Sequence, residues 1–288
     1  MNSVLDKFTL KKPFLICIDS DGCAIDTMDV KHIKCFGPIM VEEWDLHKWK
    51  EDILTSWNEV NLYTLTRGIN RFKGLAIALT EINEKYMNIE GLEEYLNWVK
   101  ETKELSNESL ERELKKATGN VTCIRKALEW SNSVNTSIKA LKSEEKKSFE
   151  GVKEGIIKAR EVADIAIVSS ANEIAVLEEW LESELLEYVD IVLAQNVGTK
   201  AFCISKLLEK GYKKDNVLMV GDAIGDYESA KVNDVLYYPV QVKKEKESWS
   251  RFVDEALVKL IDGSYKSEYE EKIVAEFKSN LCKDNKEI

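Results

Sequence analysis

Apolar positions follow two rhythms along this chain of 288 residues. Five short stretches are apolar without a polar break: Phe14–Ile18, Ile165–Val168, Ile191–Ala194, Val217–Val220 and Val235–Tyr238. Unbroken runs of that length predict strands buried on both faces, the kind that belong to parallel sheets. Around the later runs, apolar residues recur at helical spacing. Helices are predicted over about Val152–Val162, Glu173–Leu186, Lys200–Lys210 and Asp226–Lys231, with Gly211 as a left-handed cap on the third. Strand and helix alternating over short links is the pattern of a parallel sheet wrapped by helices, with right-handed crossovers. Trp249–Leu281 is also helical and amphipathic, and is expected to pack on the core as an appendage.

The first strand is separated from its partners. From about Thr27 to Glu150 no buried strand is predicted, and apolar and aromatic residues keep to helical spacing. Trp44, Trp49, Ile53 and Trp57 form one such set, Leu75–Leu79 with Ile82 a second, and Leu92, Tyr95, Leu96 and Val99 a third. Ser106 and Asn107 offer an N-cap to a charged helix over Glu108–Ala117 that Gly119 ends, and a further helix covers Val121–Trp130. The expected architecture is a Rossmann-like α/β core in two pieces, 1–26 plus 150–288, with an all-helical domain over 27–149 inserted after the first strand. The insert is large enough to own a small core. Rooted beside the first strand's turn, it is placed to open for a substrate and close to exclude water.

Composition narrows the class. Apolar content of 44% supports a real core, and 32% charged residues indicate a well-solvated surface. The formal charge of −11 argues against a nucleic-acid binder or an anionic-membrane binder, which need a basic field. A phosphorylated metabolite remains compatible if its site is locally positive. Met1–Lys7 carries no basic start with an apolar core, so no secretory signal is read there. No segment reaches the roughly 18 consecutive apolar residues of a membrane span. The six cysteines are scattered with no CxxC pair, which makes zinc and redox chemistry weak readings and a reducing cytoplasm the expected setting. Cys17 and Cys203 read as small core residues. The charged ending Cys282–Ile288 is expected to fray. A monomer and a homodimer are equally open.

Candidate chemistry collects where the apolar runs end. Asp19 and Asp21 follow the first, and strand alternation puts both carboxylates on one side with Ser20 turned away. Two such carboxylates repel unless one holds a proton or a hard cation sits between them; an acidic strand-end turn is the plainer reading. Ser169 follows the second run and suits either a phosphate grip or an N-cap, with Ser170 competing for both roles. Lys200 opens the helix after the third run, where a fixed positive charge can sit over a phosphate and an aspartate, or simply in solvent; Lys206 competes from mid-helix. Asp222 stands just past the fourth run, and Asp226 one helical turn on, completing an acidic cradle for a cation.

Together these stretches resemble the haloacid dehalogenase (HAD) superfamily. The resemblance is carried by DxDGxxxD as Asp19-Ser-Asp21-Gly22-Cys-Ala-Ile-Asp26, by Ser169, by Lys200, and by GDxxxD as Gly221-Asp222-Ala-Ile-Gly-Asp226. It implies a phosphatase-type core with an α-helical cap where the insert lies. It further implies that Asp19 attacks phosphorus to form an aspartyl-phosphate while Asp21 serves as general acid and then base. Mg²⁺ is implied at Asp19, Asp21 (through its backbone carbonyl) and Asp222, with Asp226 acting through water or from behind; Ser169 and Lys200 hold the transferring oxygens. The implied activity is Mg²⁺-dependent hydrolysis of a small phosphorylated metabolite. A sugar-phosphate mutase and a catalytically silent phosphometabolite-binding protein of the same fold are the alternatives. Superfamily dehalogenases lack the second aspartate, ion pumps carry a DKTG-type sequence with membrane spans, and phosphonate cleavage needs a cap lysine that no pattern here marks.

Substrate choice is expected in the insert. Thr66–Gly74 holds Arg67, Arg71 and Lys73 with two glycines between helical runs. Arg67 or Arg71 is a candidate for the substrate's non-reacting part; a solvated loop or an interhelical ion pair explains the same residues. Trp44, Trp49 and Trp57 read as core of the insert, and His32 as an ordinary polar residue near its root.

Overall fold

A computed structural model describes residues 3–116 and 119–282. The expected helix residue Ala117 and the ending after Cys282 lie outside the described residues. Five strands form one sheet in the order β3-β2-β1-β4-β5. They are β1 Phe14–Ile18, β2 Ala163–Val168, β3 Ile191–Leu193, β4 Val217–Gly221 and β5 Leu236–Pro239. All pairings are parallel. β1 lies centrally, with Ile18 beside Ile167 of β2 and Val220 of β4. The carboxyl ends of β1 and β4 therefore finish side by side, and Asp19 N–H donates to Val220 O at 2.9 Å. That register places the two acidic turns at one edge, where a parallel sheet binds ligands.

The structure extends β2 two residues upstream of the apolar run, through Asp164. A charge inside a strand breaks the hydrophobic pattern, but here it is answered. Asp164 is fully buried and accepts from the Lys11 and Lys12 amides at 2.9 and 3.1 Å and from Tyr212 Oη–H at 2.5 Å. Helices follow the strands at Val152–Ala159, Glu173–Glu182, Lys200–Leu208 and Ile224–Asn233, each within a few residues of the periodicity.

The C-terminal segment is more than an appendage. It runs as Glu245–Arg251, a widened π-type turn over Phe252–Ala256, Leu257–Asp262 and Glu268–Cys282. Trp249, Phe252, Leu260 and Tyr265 share one buried core with Ile16, Ile165 and Leu218 of the sheet. β5 is an edge strand, and this segment occupies its outer donors and acceptors. Tyr237 N–H donates to the Glu270 carboxylate at 2.8 Å, and Tyr265 Oη–H to Tyr237 O at 2.7 Å.

The chain divides into two compact units, Met1–Met28 with Lys142–Ile288, and Asp29–Leu141. The return to the core falls before Glu150 because the segment ahead of it bonds back to the first acidic turn. Asp26 N–H donates to Lys147 O at 2.8 Å, and Phe149 N–H to Ala24 O at 3.1 Å. The second unit is helical, between β1 and β2 in sequence. Its longer helices are Lys50–Asn58, Arg71–Lys85, Leu92–Glu101, Asn107–Lys116 and Thr122–Lys139. It owns an apolar core in which Trp44, Trp57, Phe72, Tyr95 and Trp130 are buried together. His32 belongs to that aromatic packing, stacked on Phe36 at 4.6 Å between ring centroids. No helix among the described residues is long and apolar enough to cross a membrane. The described cysteines form no disulfide, and Cys17 and Cys203 are buried as expected.

Candidate active site

The site begins as backbone. Past β1 the chain turns on Gly22, whose φ of +80° is left-handed and suits glycine. The Ser20 carbonyl accepts from the amides of Cys23, Ala24 and Ile25, at 3.3, 3.0 and 2.9 Å. This knot fixes the backbone that carries Asp19 and Asp21. Past β4, Gly221 plays a steric part. A Cβ there would lie 2.3 Å from Asp226 Cγ, so the absence of a side chain lets Asp226 lie against the strand end.

Three carboxylates converge. Asp19, Asp222 and Asp226 each offer an oxygen within 4.8 Å of the others, and all three are buried. Lys200, at the first turn of its helix, reaches Asp19 Oδ2 at 2.9 Å and Asp226 Oδ1 at 2.5 Å. Asp226 also accepts from the Ala223 amide at 3.1 Å. Burial pushes Asp19 up to about 6; Lys200 pulls it down, and Asp222 pushes it further up. Burial likewise pushes Asp226 up to about 6, with Lys200 opposing. Burial works against the charge on Lys200, but Asp19 and Asp226 outweigh it and hold the ammonium above its ordinary range. The donor set fits a hard divalent cation, which takes oxygen ligands and is commonly bound through one or two carboxylates plus substrate phosphate.

Asp21 stands apart from that cluster. Its carboxylate accepts from Thr27 Oγ1–H at 2.6 Å, and Thr27 is fully buried. Ser169 is buried at the end of β2, with its Oγ accepting from the Ala171 amide at 3.1 Å. The helix after it is capped by Asn172, whose side chain accepts from Ile174 N–H, so neither Ser169 nor the exposed Ser170 is its N-cap. Arg67 and Arg71 lie in the helical unit. Arg67 has a side chain only 2% exposed, donates to Leu62 O at 2.8 Å and stands 3.9 Å from Asp29. Arg71 donates to Asn135 Oδ1 at 2.7 Å and Ser131 Oγ at 3.2 Å, and lies over the Phe36 ring.

A family comparison matches residues 78–238 to Haloacid dehalogenase-like hydrolase, more than half of the chain. The chain belongs to this family. The matched span begins inside the helical insert and reaches β5, so Lys200, Asp222 and Asp226 fall within it, whereas Asp19 and Asp21 are tied to it by the sheet register. Comparison with curated proteins gave no match. Among solved structures, a predicted phosphoglycolate phosphatase from Haemophilus somnus 129PT aligns with a TM-score of 0.50 at 11% identity, covering 81% of this chain and 87% of that one. A haloacid dehalogenase-like family hydrolase from Xanthomonas campestris gives 0.48 at 10% identity, over 88% and 94% of the two chains. A HAD-superfamily hydrolase from Ehrlichia chaffeensis gives 0.44 at 17% identity, over 88% and 100%. At these identities the likeness concerns fold.

Several groups at this HAD site carry no pattern in the sequence. Trp180 Nε1–H donates to Ser20 Oγ at 2.9 Å, Trp249 Nε1–H to Cys23 O at 3.0 Å, and Tyr237 Oη–H to Gly221 O at 3.0 Å. Each donor is remote in sequence from its acceptor; Tyr237 sits in an apolar run, and Trp180 and Trp249 sit among charged neighbours on helices where a lone tryptophan reads as core. Thr27, next to the acidic motif, is the partner whose place in the sequence points to its role.

Proposed function

We propose that this HAD-like hydrolase is a Mg²⁺-dependent phosphohydrolase acting on a small phosphorylated metabolite, with Asp19 as nucleophile. The observation that carries this reading is Lys200 held between Asp19 and Asp226 beside Asp222, at the common end of β1 and β4. Three buried carboxylates and one ammonium leave net negative charge where an anionic phosphate must come. A divalent cation held by Asp19, Asp222 and Asp226 would supply the missing positive charge.

The chain's own groups fit the remaining steps. An Asp19 carboxylate oxygen attacks phosphorus as the bond to the leaving oxygen breaks. Asp21, in its protonated form, gives that oxygen a proton. Thr27 Oγ1–H fixes one of its oxygens and so orients the carboxyl group. The resulting Asp21 carboxylate then takes a proton from water, whose oxygen attacks phosphorus and frees Asp19. Such acid–base help typically contributes about 10²–10⁴ in rate. Lys200 stays protonated throughout and steadies charge on Asp19 and the transferring oxygens. Ser169, buried at the end of β2, is our candidate for a second holder of those oxygens.

The test is release of an aryl alcohol from an aryl phosphate, with Mg²⁺ and with chelator, followed by a panel of sugar phosphates, nucleotides and phosphorylated acids. The account expects turnover that needs the metal. Silence across the panel with Mg²⁺ bound would favour the binding protein, and bisphosphate-activated isomerisation the mutase.

A further inference from the structure

We propose that Trp249 is a positioning residue for this chemistry, acting with Trp180 to fix the first acidic turn from behind; the proposal rests on Asp19 and Asp21 being the reacting carboxylates. Both indoles are fully buried, and each spends its N–H on the turn itself. Trp180 takes the hydroxyl of Ser20, between the two aspartates, and Trp249 takes the carbonyl of Cys23, two residues past Asp21. The Cys23 thiol adds a contact with Val220 O at 3.6 Å, the carbonyl that also accepts from Asp19 N–H.

Trp249 is seated by surrounding structure. A Cβ on Gly155 would lie 2.7 Å from its ring, so that glycine makes room for the indole. Phe252 packs edge-on at 5.3 Å. Tyr238 Oη–H donates to Ser248 O at 2.5 Å, locking the preceding residue to β5. The π-type turn over Phe252–Ala256 starts three residues later, and such turns often accompany functional contacts. Trp249 also lies beyond the span matched by the family comparison, which ends at residue 238. The C-terminal segment thus brings to the turn a donor from outside that matched span.

A buried hydrogen bond of this kind acts through geometry. Without it the turn keeps its chain path but loses the restraint that sets Asp21 against Asp19, and small misplacements at a reacting centre are costly. The test compares Trp249→Phe, which keeps an aromatic ring and loses the N–H, with Leu260→Ala, which loosens the same C-terminal segment at a buried residue of its Leu257–Asp262 helix. Trp249→Phe is expected to lower kcat about tenfold with KM within about twofold. Leu260→Ala is expected to lower Tm and keep kcat. A folded Trp249→Phe protein with wild-type kcat overturns the proposal.

A second readout uses the wild-type protein and does not depend on turnover or on that variant folding. The assigned indole N–H resonance of Trp249 is expected to shift when Mg²⁺ and fluoroberyllate, a phosphoryl mimic, are added. That of Trp98, which donates to Ser109 in the helical unit, should stay in place. No shift at Trp249 overturns the proposal. A shift without turnover upholds the coupling of Trp249 to the acidic turn and counts against the phosphatase reading alone.

Discussion

Two charged stretches stand out in this sequence, and the structure uses them in opposite ways. The acidic turns after β1 and β4 gather carboxylates from segments some two hundred residues apart into one buried group, with one lysine between them. The cationic loop around Arg67 and Arg71 bonds within its own unit, to Leu62, Ser131 and Asn135. Like charges brought together and buried are unfavourable unless something compensates, so convergence points to a ligand. Opposite charges and carbonyls that satisfy each other locally point to architecture. The loop's charge was as visible as the turns' charge; what separates them is the sheet register, which only one of them shares.

The largest effect should come from Asp19→Asn. Turnover is expected to fall by about 10⁴-fold or more while the fold persists, since a neutral amide cannot attack and its charge loss relieves the buried cluster. Normal activity in a folded variant removes the nucleophile and, with it, the contrast between the two stretches. Gly221→Ala comes next. Its Cβ cannot coexist with Asp226 as placed, and a displaced Asp226–Lys200 pair is expected to cost about 10²-fold in kcat. Gly225→Ala is the matched control, because nothing lies within 4 Å of the Cβ it would add; activity should stay near wild type.

Arg67→Ala sharpens the other side. Loss of a buried guanidinium that serves Leu62 and stands near Asp29 should cost about 1–3 kcal/mol of stability, read as a lower Tm, with KM unchanged. A raised KM at unchanged Tm would instead give this loop the substrate contact suggested by its charge.

The smallest effect is a pH dependence. Asp19 and Asp226 are both pushed up to about 6 from an ordinary value of 3.8 in the metal-free protein. The folded state then binds these protons more tightly than the unfolded state. Their contribution favours the fold below the ordinary carboxylate range and is lost as pH rises through about 6. Mg²⁺ competes with those protons, so it should raise Tm more at about pH 7 than at about pH 5. An equal rise at both would separate the carboxylate cluster from the metal.

Much of the core was legible because buried parallel strands leave continuous apolar runs, and β1 reads from Phe14 to Ile18 in both sequence and structure. β2 was cut short at Asp164 because its compensation comes from the Lys11 and Lys12 amides and Tyr212, which no local pattern connects to it. Likewise the residues of the acidic edge could be named singly, but their convergence depends on the parallel pairing of β1 with β4. The donors behind the turn were hidden for a chemical reason. Trp180, Trp249 and Tyr237 are mostly apolar by area, and hydropathy assigns them to the core, where their one polar atom goes unread.

The most direct measurement is to quench the Mg²⁺-loaded protein with acid during turnover of a reactive phosphoryl donor and map the phosphoryl group by peptide mass spectrometry. The account predicts it on Asp19, with none trapped in Asp19→Asn. A phosphoryl group on another residue, or turnover with no trapped adduct in wild type and full activity in Asp19→Asn, would contradict it.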